Sequence, residues 1–128
     1  MTILLSLLFA ILMATPAWAI EFTVTGTSVT AIYTQPTTNA DATPLADLAK
    51  TNVYNQLSGG TPVKGPDVPA TKATGGGAIT TQVTVPVVVG QDLVVTFWAT
   101  ATDTVQNESA RSAEVQKRID RLAPAAPN

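Results

Sequence analysis

The side chains that most often perform catalysis are missing from this chain of 128 residues, which contains no histidine and no cysteine. Their absence excludes Ser-His-Asp triads, thiol nucleophiles and metal sites built from imidazole or thiolate ligands. Carboxylates remain, with Asp41 and Asp47 in one polar segment and Asp103 and Glu108 in another. Two carboxylates can act as acid and base on a glycoside, but an Asp at a strand end more often closes a turn. The sequence therefore predicts no catalytic residue, no metal site and no cofactor.

Aromatic and polar residues near the middle of the chain indicate binding instead. In the stretch Leu93–Thr102 apolar residues alternate with polar ones, which places the ring of Trp98 on the face opposite Phe97. An exposed Trp is a frequent anchor at protein interfaces and a stacking platform for sugar rings. The favoured interpretation, however, is a structural ring, in which the apolar strip of Val94 and Thr96 beside Trp98 is covered by the loop Ser58–Gly77. Together with polar residues of the following turn, the candidate binding residues are Trp98, Asp103, Asn107 and Glu108.

From residue 20 onwards the chain is typical of an all-β protein. Short runs rich in Val, Ile, Thr and Tyr are separated by Pro, Gly, Asn and Asp. The segment Ser58–Gly77 is rich in Gly and Pro, which predicts a loop or an edge, with a seventh strand within Thr61–Thr74. The other expected strands are Glu21–Thr25, Ser28–Thr34, Thr51–Gln56, Ile79–Val85, Leu93–Thr102 and Arg111–Lys117.

Two interpretations fit the C-terminal segment. Its apolar residues Val115, Ile119 and Leu122 are spaced as on one face of a helix. No capping box precedes them, however, and Pro124 closes the run at once. A strand followed by an extended Pro- and Ala-rich tail at residues 120–128 is favoured, and a terminal helix is the alternative.

Residues 1–19 differ from the rest of the chain. They contain the apolar run Ile3–Ala14, then Pro16 and the triplet Ala17-Trp18-Ala19, a pattern typical of a signal peptide cleaved before Ile20. An uncleaved membrane anchor is the alternative, but the run is shorter than the roughly 20 apolar residues that span a bilayer. The sequence therefore predicts a secreted, periplasmic or cell-surface protein, which would contact a membrane only through an uncleaved leader.

The remaining residues 20–119 have the length of one domain. Seven basic and nine acidic residues give a net charge of −2, so electrostatics offers no reason to expect a nucleic acid partner. Without cysteine no disulfide can form, and a packed core must stabilise the domain.

Three blocks of this sequence resemble a fibronectin type III domain. The first, Val29–Pro36, is similar to the second strand of the family, with Tyr33 where the family usually has Trp. The second, Asp41–Leu48 followed by Asn52-Val53-Tyr54, resembles the entry into the third strand of bacterial members. The third, Ala101–Val115, resembles the hairpin between the last two strands. The resemblance implies a seven-stranded antiparallel immunoglobulin-like β-sandwich, here preceded by an apolar signal helix.

The sequence also departs from the family pattern at two places. Val89–Leu93 lacks the tyrosine that usually pins the corner before the penultimate strand, and Gln106 stands where bacterial relatives often have Gly. The resemblance implies a secreted, non-enzymatic module for adhesion, surface display or assembly, with a protein partner on a cell or virion surface. The alternative is an accessory module that binds an extracellular polysaccharide through Trp98.

Overall fold

The computed structural model describes residues 20–26 and 28–128, so the expected signal helix lies outside the described residues. Every regular element in this part of the chain is a β-strand, and every strand pairing is antiparallel. The strands are β1 (Glu21–Thr25), β2 (Ser28–Thr34), β3 (Leu48–Leu57), β4 (Val63–Lys64), β5 (Val68–Pro69), β6 (Ala78–Val83), β7 (Asp92–Asp103) and β8 (Val115–Asp120).

The first two strands have the bounds that alternation predicts, whereas the last strand differs. Strand β8 begins at Val115, four residues later than expected, and continues to Asp120. Its residues Val115, Lys117 and Ile119 share the inward side, with Ile119 fully buried. The side chains of this segment therefore alternate as in a strand, and the alternative prediction of a terminal helix is wrong.

The strands form two antiparallel sheets. One has the order β1-β2-β6, and the other has the order β4-β3-β7-β8, with β5 also paired to β3. Strand β7 pairs with β3 from Leu48 to Leu57, so β4 and β5 both lie on the opposite edge of β3. They form two pieces of one interrupted edge, as the Gly- and Pro-rich composition predicts for this segment.

The core lies between the two sheets. Alternation turns one face of each sheet inward, and the rings of Phe22 on β1 and Phe97 on β7 stack across the interface with centroids 4.7 Å apart. Phe97 is fully buried, which confirms the inward direction predicted for it. The core consists of Phe22, Val29, Ala31, Tyr33, Val53, Ile79, Val83, Val85, Val87, Val95, Phe97, Ala99 and Ile119, of which Val85 and Val87 follow β6.

Arg121 pins the corner before β7, where the tyrosine is missing. Its backbone carbonyl accepts a hydrogen bond from Gly90 N–H at 2.8 Å, and its N–H donates to the Gln91 carbonyl at 2.7 Å. The guanidinium Nη1 donates to the Val87 carbonyl. Gly90 has a φ of +92°, a conformation that favours glycine. The residue after the last strand thus holds the corner.

The edge segment between β3 and β6 is tied to β2 by Gln35. The Gln35 side chain, 1% exposed, donates from Nε2 to the Pro69 carbonyl at 3.2 Å and accepts from Thr71 N–H at 3.0 Å. Gly75 approaches so closely that a Cβ there would lie 1.6 Å from the Pro36 carbonyl oxygen. These contacts hold the segment between β3 and β6 against the residues that follow β2.

Candidate functional site

Trp98 lies on the face opposite Phe97, as alternation predicts, but its ring is only 2% exposed. The favoured interpretation of a buried ring is therefore confirmed, and the alternative of an exposed platform is wrong. Tyr54 on β3 stacks beside the ring with centroids 5.5 Å apart and planes 9° apart. The guanidinium carbon of Arg111 lies over the ring, 4.0 Å from its centroid. These two side chains cover Trp98, because β3 pairs Tyr54 directly opposite it and the chain after the hairpin returns along β7.

Glu108 holds Tyr54 in this stack. Its Oε1 accepts a hydrogen bond from the Tyr54 hydroxyl at 2.6 Å and another from Thr100 Oγ1 at 2.8 Å. These two donors hold the pKa of Glu108 below its ordinary value, the tyrosine having the larger effect. The structure thus brings together two of the residues predicted from sequence, Trp98 and Glu108, through the ring of Tyr54.

Asp103 and Asn107 form a separate pair that closes the turn after β7. Asp103 Oδ1 accepts from the N–H groups of Val105 at 3.0 Å and Asn107 at 2.9 Å, and its Oδ2 accepts from Asn107 Nδ2 at 2.9 Å. The side chain and backbone of Asn107 lower the pKa of Asp103. Gln106 has a φ of +71° in this turn, the left-handed conformation for which glycine is the usual residue.

Three of the four candidate carboxylates have pKa values shifted in the same direction. The pKa of Asp41 is lowered by hydrogen bonds from Thr43, and the pKa values of Asp103 and Glu108 are lowered as described above. A general acid needs the opposite shift, a raised pKa that keeps its proton at neutral pH. Within residues 20–26 and 28–128, no three acidic side chains converge on a point where a metal ion could bind.

A groove of about 650 Å³ opens between the two sheets at one end of the molecule. Within the part of the chain that the structure describes, both edge strands at this end start short of the ends of their partners. Strand β1 first pairs at Glu21 with Ile32 although β2 continues to Thr34, and β8 first pairs at Val115 although β7 continues beyond its partner Phe97. The lining includes Ile20, Tyr33, Pro36, Ala99, Ala110 and Arg111. Sequence reasoning missed this groove, because it depends on where the edge strands start.

Two serines build one wall of the groove. The hydroxyl of Ser109 accepts from Ala101 N–H and that of Ser112 accepts from Ala99 N–H, both at 2.9 Å. The serine N–H groups donate back to the carbonyls of the same two alanines. Serine hydroxyl oxygens thus accept the hydrogen bonds that backbone carbonyls would accept in a regular strand. The chain therefore runs along β7 without forming a strand there, and Arg111 lies over the indole ring of Trp98. The Ser-x-x-Ser spacing is the sequence signal of this wall.

The floor of the groove is polar but internally satisfied. The hydroxyl groups of Tyr33 and Thr51 lie 2.7 Å apart in a buried hydrogen bond. Burial is the main reason that the pKa of Tyr33 is raised, and the hydrogen bond to Thr51 acts in the opposite direction. The phenol therefore stays protonated at neutral pH and carries no charge into the groove.

No family model matches the sequence, and neither a curated protein nor a solved structure shows significant similarity to it. Among the residues that the structure describes, there is no helix of the length and hydropathy needed to cross a membrane.

Proposed function

We propose that the chain is a secreted, non-enzymatic module of fibronectin type III type that acts through protein contacts in adhesion, surface display or assembly. The sheet order supports this type. Taken as one interrupted strand, β4 and β5 bring the described strands to seven, divided three and four. In constant-type immunoglobulin domains the fourth strand joins the sheet of the first, second and fifth strands. Here its counterpart pairs with β3, in agreement with the resemblance of the three sequence blocks.

The observation that carries the proposal is the groove beside the end of β2. Its walls present backbone, hydroxyl and apolar groups, which suit an extended peptide. Catalysis has less support, because the carboxylates near the hairpin are held in turns and in the Tyr54 contact, with lowered pKa values.

Carbohydrate binding through Trp98 is the weaker alternative. A sugar ring stacks on an open aromatic face, and here both neighbours of the indole are side chains of the same protein. Binding of this kind would first require Arg111 to move away from the ring.

The proposal is tested by capture from the native source with three forms of the protein. The full chain and an Ala113→Trp control, with the new ring at an exposed site that does not line the groove, should retain the same protein partner. The Ala110→Trp variant, in which the ring fills the groove, should lose it. A glycan array provides the opposing result: saturable sugar binding that Trp98→Ala abolishes, without a protein partner, would favour the carbohydrate module.

A further inference from the structure

Both edges of the sheet that contains β3 and β7 carry features that keep a further strand away. Strand β8 contains the charged residues Lys117, Arg118 and Asp120. The opposite edge is interrupted between β4 and β5, where Pro66 has no N–H group to offer a neighbouring strand. Charged side chains, prolines and interruptions are the usual protection of edge strands against pairing with another chain.

Strand β6, an edge of the other sheet, has none of this protection. It is six residues long, Ala78–Val83, and contains neither a charged residue nor a proline. All six residues pair with β2 in one register without a bulge. The edge is therefore regular and uncharged, which is the form that accepts a further strand.

The backbone groups on the outer side of β6 are available for pairing. Gln35 N–H donates to the Gly77 carbonyl, so Gly77 and every second residue after it face β2. Thr81 is one of these residues, whereas the N–H and carbonyl groups of Thr80 and Gln82 point away from β2. In the part of the chain that the structure describes, no strand lies on that side of β6. Thr80 and Gln82 are both exposed.

One segment of the other sheet lies beside this edge without pairing with it. Gly65, Pro66 and Val68 line a cleft of about 10 Å³ together with residues 81–83. The N–H of Gly65 donates to the Val53 carbonyl at 2.9 Å, within its own sheet. The hydrogen-bonding groups on the outer side of β6 are therefore left to another chain.

A second copy of β6 matches this edge. In an antiparallel pair centred on Thr81, Thr80 of each copy lies opposite Gln82 of the other, so their outward-directed backbone groups meet. Ile79 then lies opposite Val83 on the core side, where the two residues are 9% and 8% exposed. Such β-branched pairs stabilise neighbouring strands, and no charged residue meets its own copy. A foreign strand would have to supply the same uncharged pattern, which each copy already carries.

We propose that two copies pair through β6 in this antiparallel register and form a dimer with one continuous six-stranded sheet. The contact uses the same surface on both copies, so it closes on itself and leaves no β6 edge for a third copy. The residues of β6 do not line the groove. This inference therefore goes beyond the proposed function and is independent of it.

Sedimentation velocity of the full chain over a wide concentration range tests the dimer. Wild type should show a concentration-dependent equilibrium between monomer and dimer, and nothing larger. The double variant Thr80→Lys/Gln82→Lys places like charges opposite each other in two pairs, which should raise the dissociation constant by about tenfold or more. The control Thr23→Lys/Thr25→Lys adds the same charge at exposed positions of β1 and should dimerise as wild type does. Circular dichroism verifies that each variant is folded.

An exchange of charges tests the register. The double variant Thr80→Glu/Gln82→Glu should dimerise as weakly as the double lysine variant, and mixing the two should give a heterodimer, because each new lysine then meets a glutamate. The variant Thr80→Lys/Gln82→Glu should dimerise more tightly than wild type. In a register centred on residue 80 or on residue 82, like charges would meet in this variant and weaken the dimer.

Amide hydrogen exchange locates the contact. The N–H groups of Thr80 and Gln82 should exchange more slowly in the wild-type dimer than in the double lysine variant. A chain that stays monomeric at every concentration would overturn the inference. A dimer that the double lysine variant retains unchanged, or one in which these two amides exchange as fast as in the monomer, would overturn it as well. None of these results affects the test of the proposed function, which depends on Ala110→Trp in the groove.

Discussion

Replacing Arg111 with Ala should uncover Trp98 and lower the free energy of unfolding by about 1 to 2 kcal/mol. The guanidinium lies 4.0 Å from the ring centroid, a distance at which a cation–π contact contributes about 0.5 to 2 kcal/mol. Loss of the aliphatic stem over the ring adds to this value. The ion pair with Glu114 adds less than about 0.5 kcal/mol, because both side chains are about half exposed.

Two further variants separate these contributions. Arg111→Met keeps an apolar side chain over the indole ring but removes the charge, so its loss of stability should be smaller than that of Arg111→Ala. Glu114→Gln removes the ion pair alone and should have little effect. Urea denaturation gives the stabilities. In a Trp18→Phe background Trp98 is the sole tryptophan, so its emission should shift to the red and its quenching by acrylamide should increase in Arg111→Ala.

The reasoning fails if Arg111→Ala has the stability, emission maximum and quenching of wild type. Such a result would mean that Arg111 does not cover the ring in solution. A loss in Glu114→Gln as large as that in Arg111→Ala would assign the effect to the ion pair.

Three other predictions follow from the contacts described above. Phe97→Ala and Trp98→Ala should each lower the free energy of unfolding by about 3 to 5 kcal/mol, since both side chains are buried, and a much smaller loss for Trp98 in urea titrations would contradict its burial. Gly75→Ala should cost about 2 to 4 kcal/mol in thermal unfolding, because the new Cβ meets the Pro36 carbonyl, whereas Gly59→Ala, which meets no atom, should cost only the roughly 1 kcal/mol of its positive φ; equal losses would refute the close approach. The pKa of Glu108 is lower in the folded state, so its stabilisation is present above the unfolded pKa near 4.5 and is lost as pH falls through the folded pKa. Glu108→Gln should therefore lower stability at pH 7 by less than about 1 kcal/mol, and this loss should become smaller in acid, so an equal effect at pH 7 and at pH 2 would contradict this assignment.

Strand positions could be predicted wherever apolar and polar residues alternate without interruption. Strands β1 and β2 have the predicted bounds, and Phe97 has the predicted direction. The start of β8 could not be predicted in this way. Before Val115, the hydroxyl groups of Ser109 and Ser112 accept hydrogen bonds from backbone N–H groups of β7. The alternation of apolar and polar residues does not indicate such side-chain acceptors.

The environment of Trp98 depended on contacts between distant residues. Alternation assigned the correct face, but not the residues that cover it. Tyr54 lies opposite Trp98 because of the register between β3 and β7, and Arg111 arrives after the hairpin. The groove could not be predicted for a similar reason. It begins where the ladder between β1 and β2 ends, at the pair of Glu21 and Ile32. Register and strand starts are set by the whole sheet, and a pattern within one strand does not determine them.

The contact between Arg121 and the corner before β7 determines how the molecule would respond to a pulling force. Tension applied through the tail enters at Arg121 and is directed along β8, so the bonds between β8 and β7 are loaded in shear and share the force. The bonds of Arg121 to Val87, Gly90 and Gln91 lie at the loaded end and must break before β8 can slide. This corner would therefore act as the mechanical clamp of the module under load.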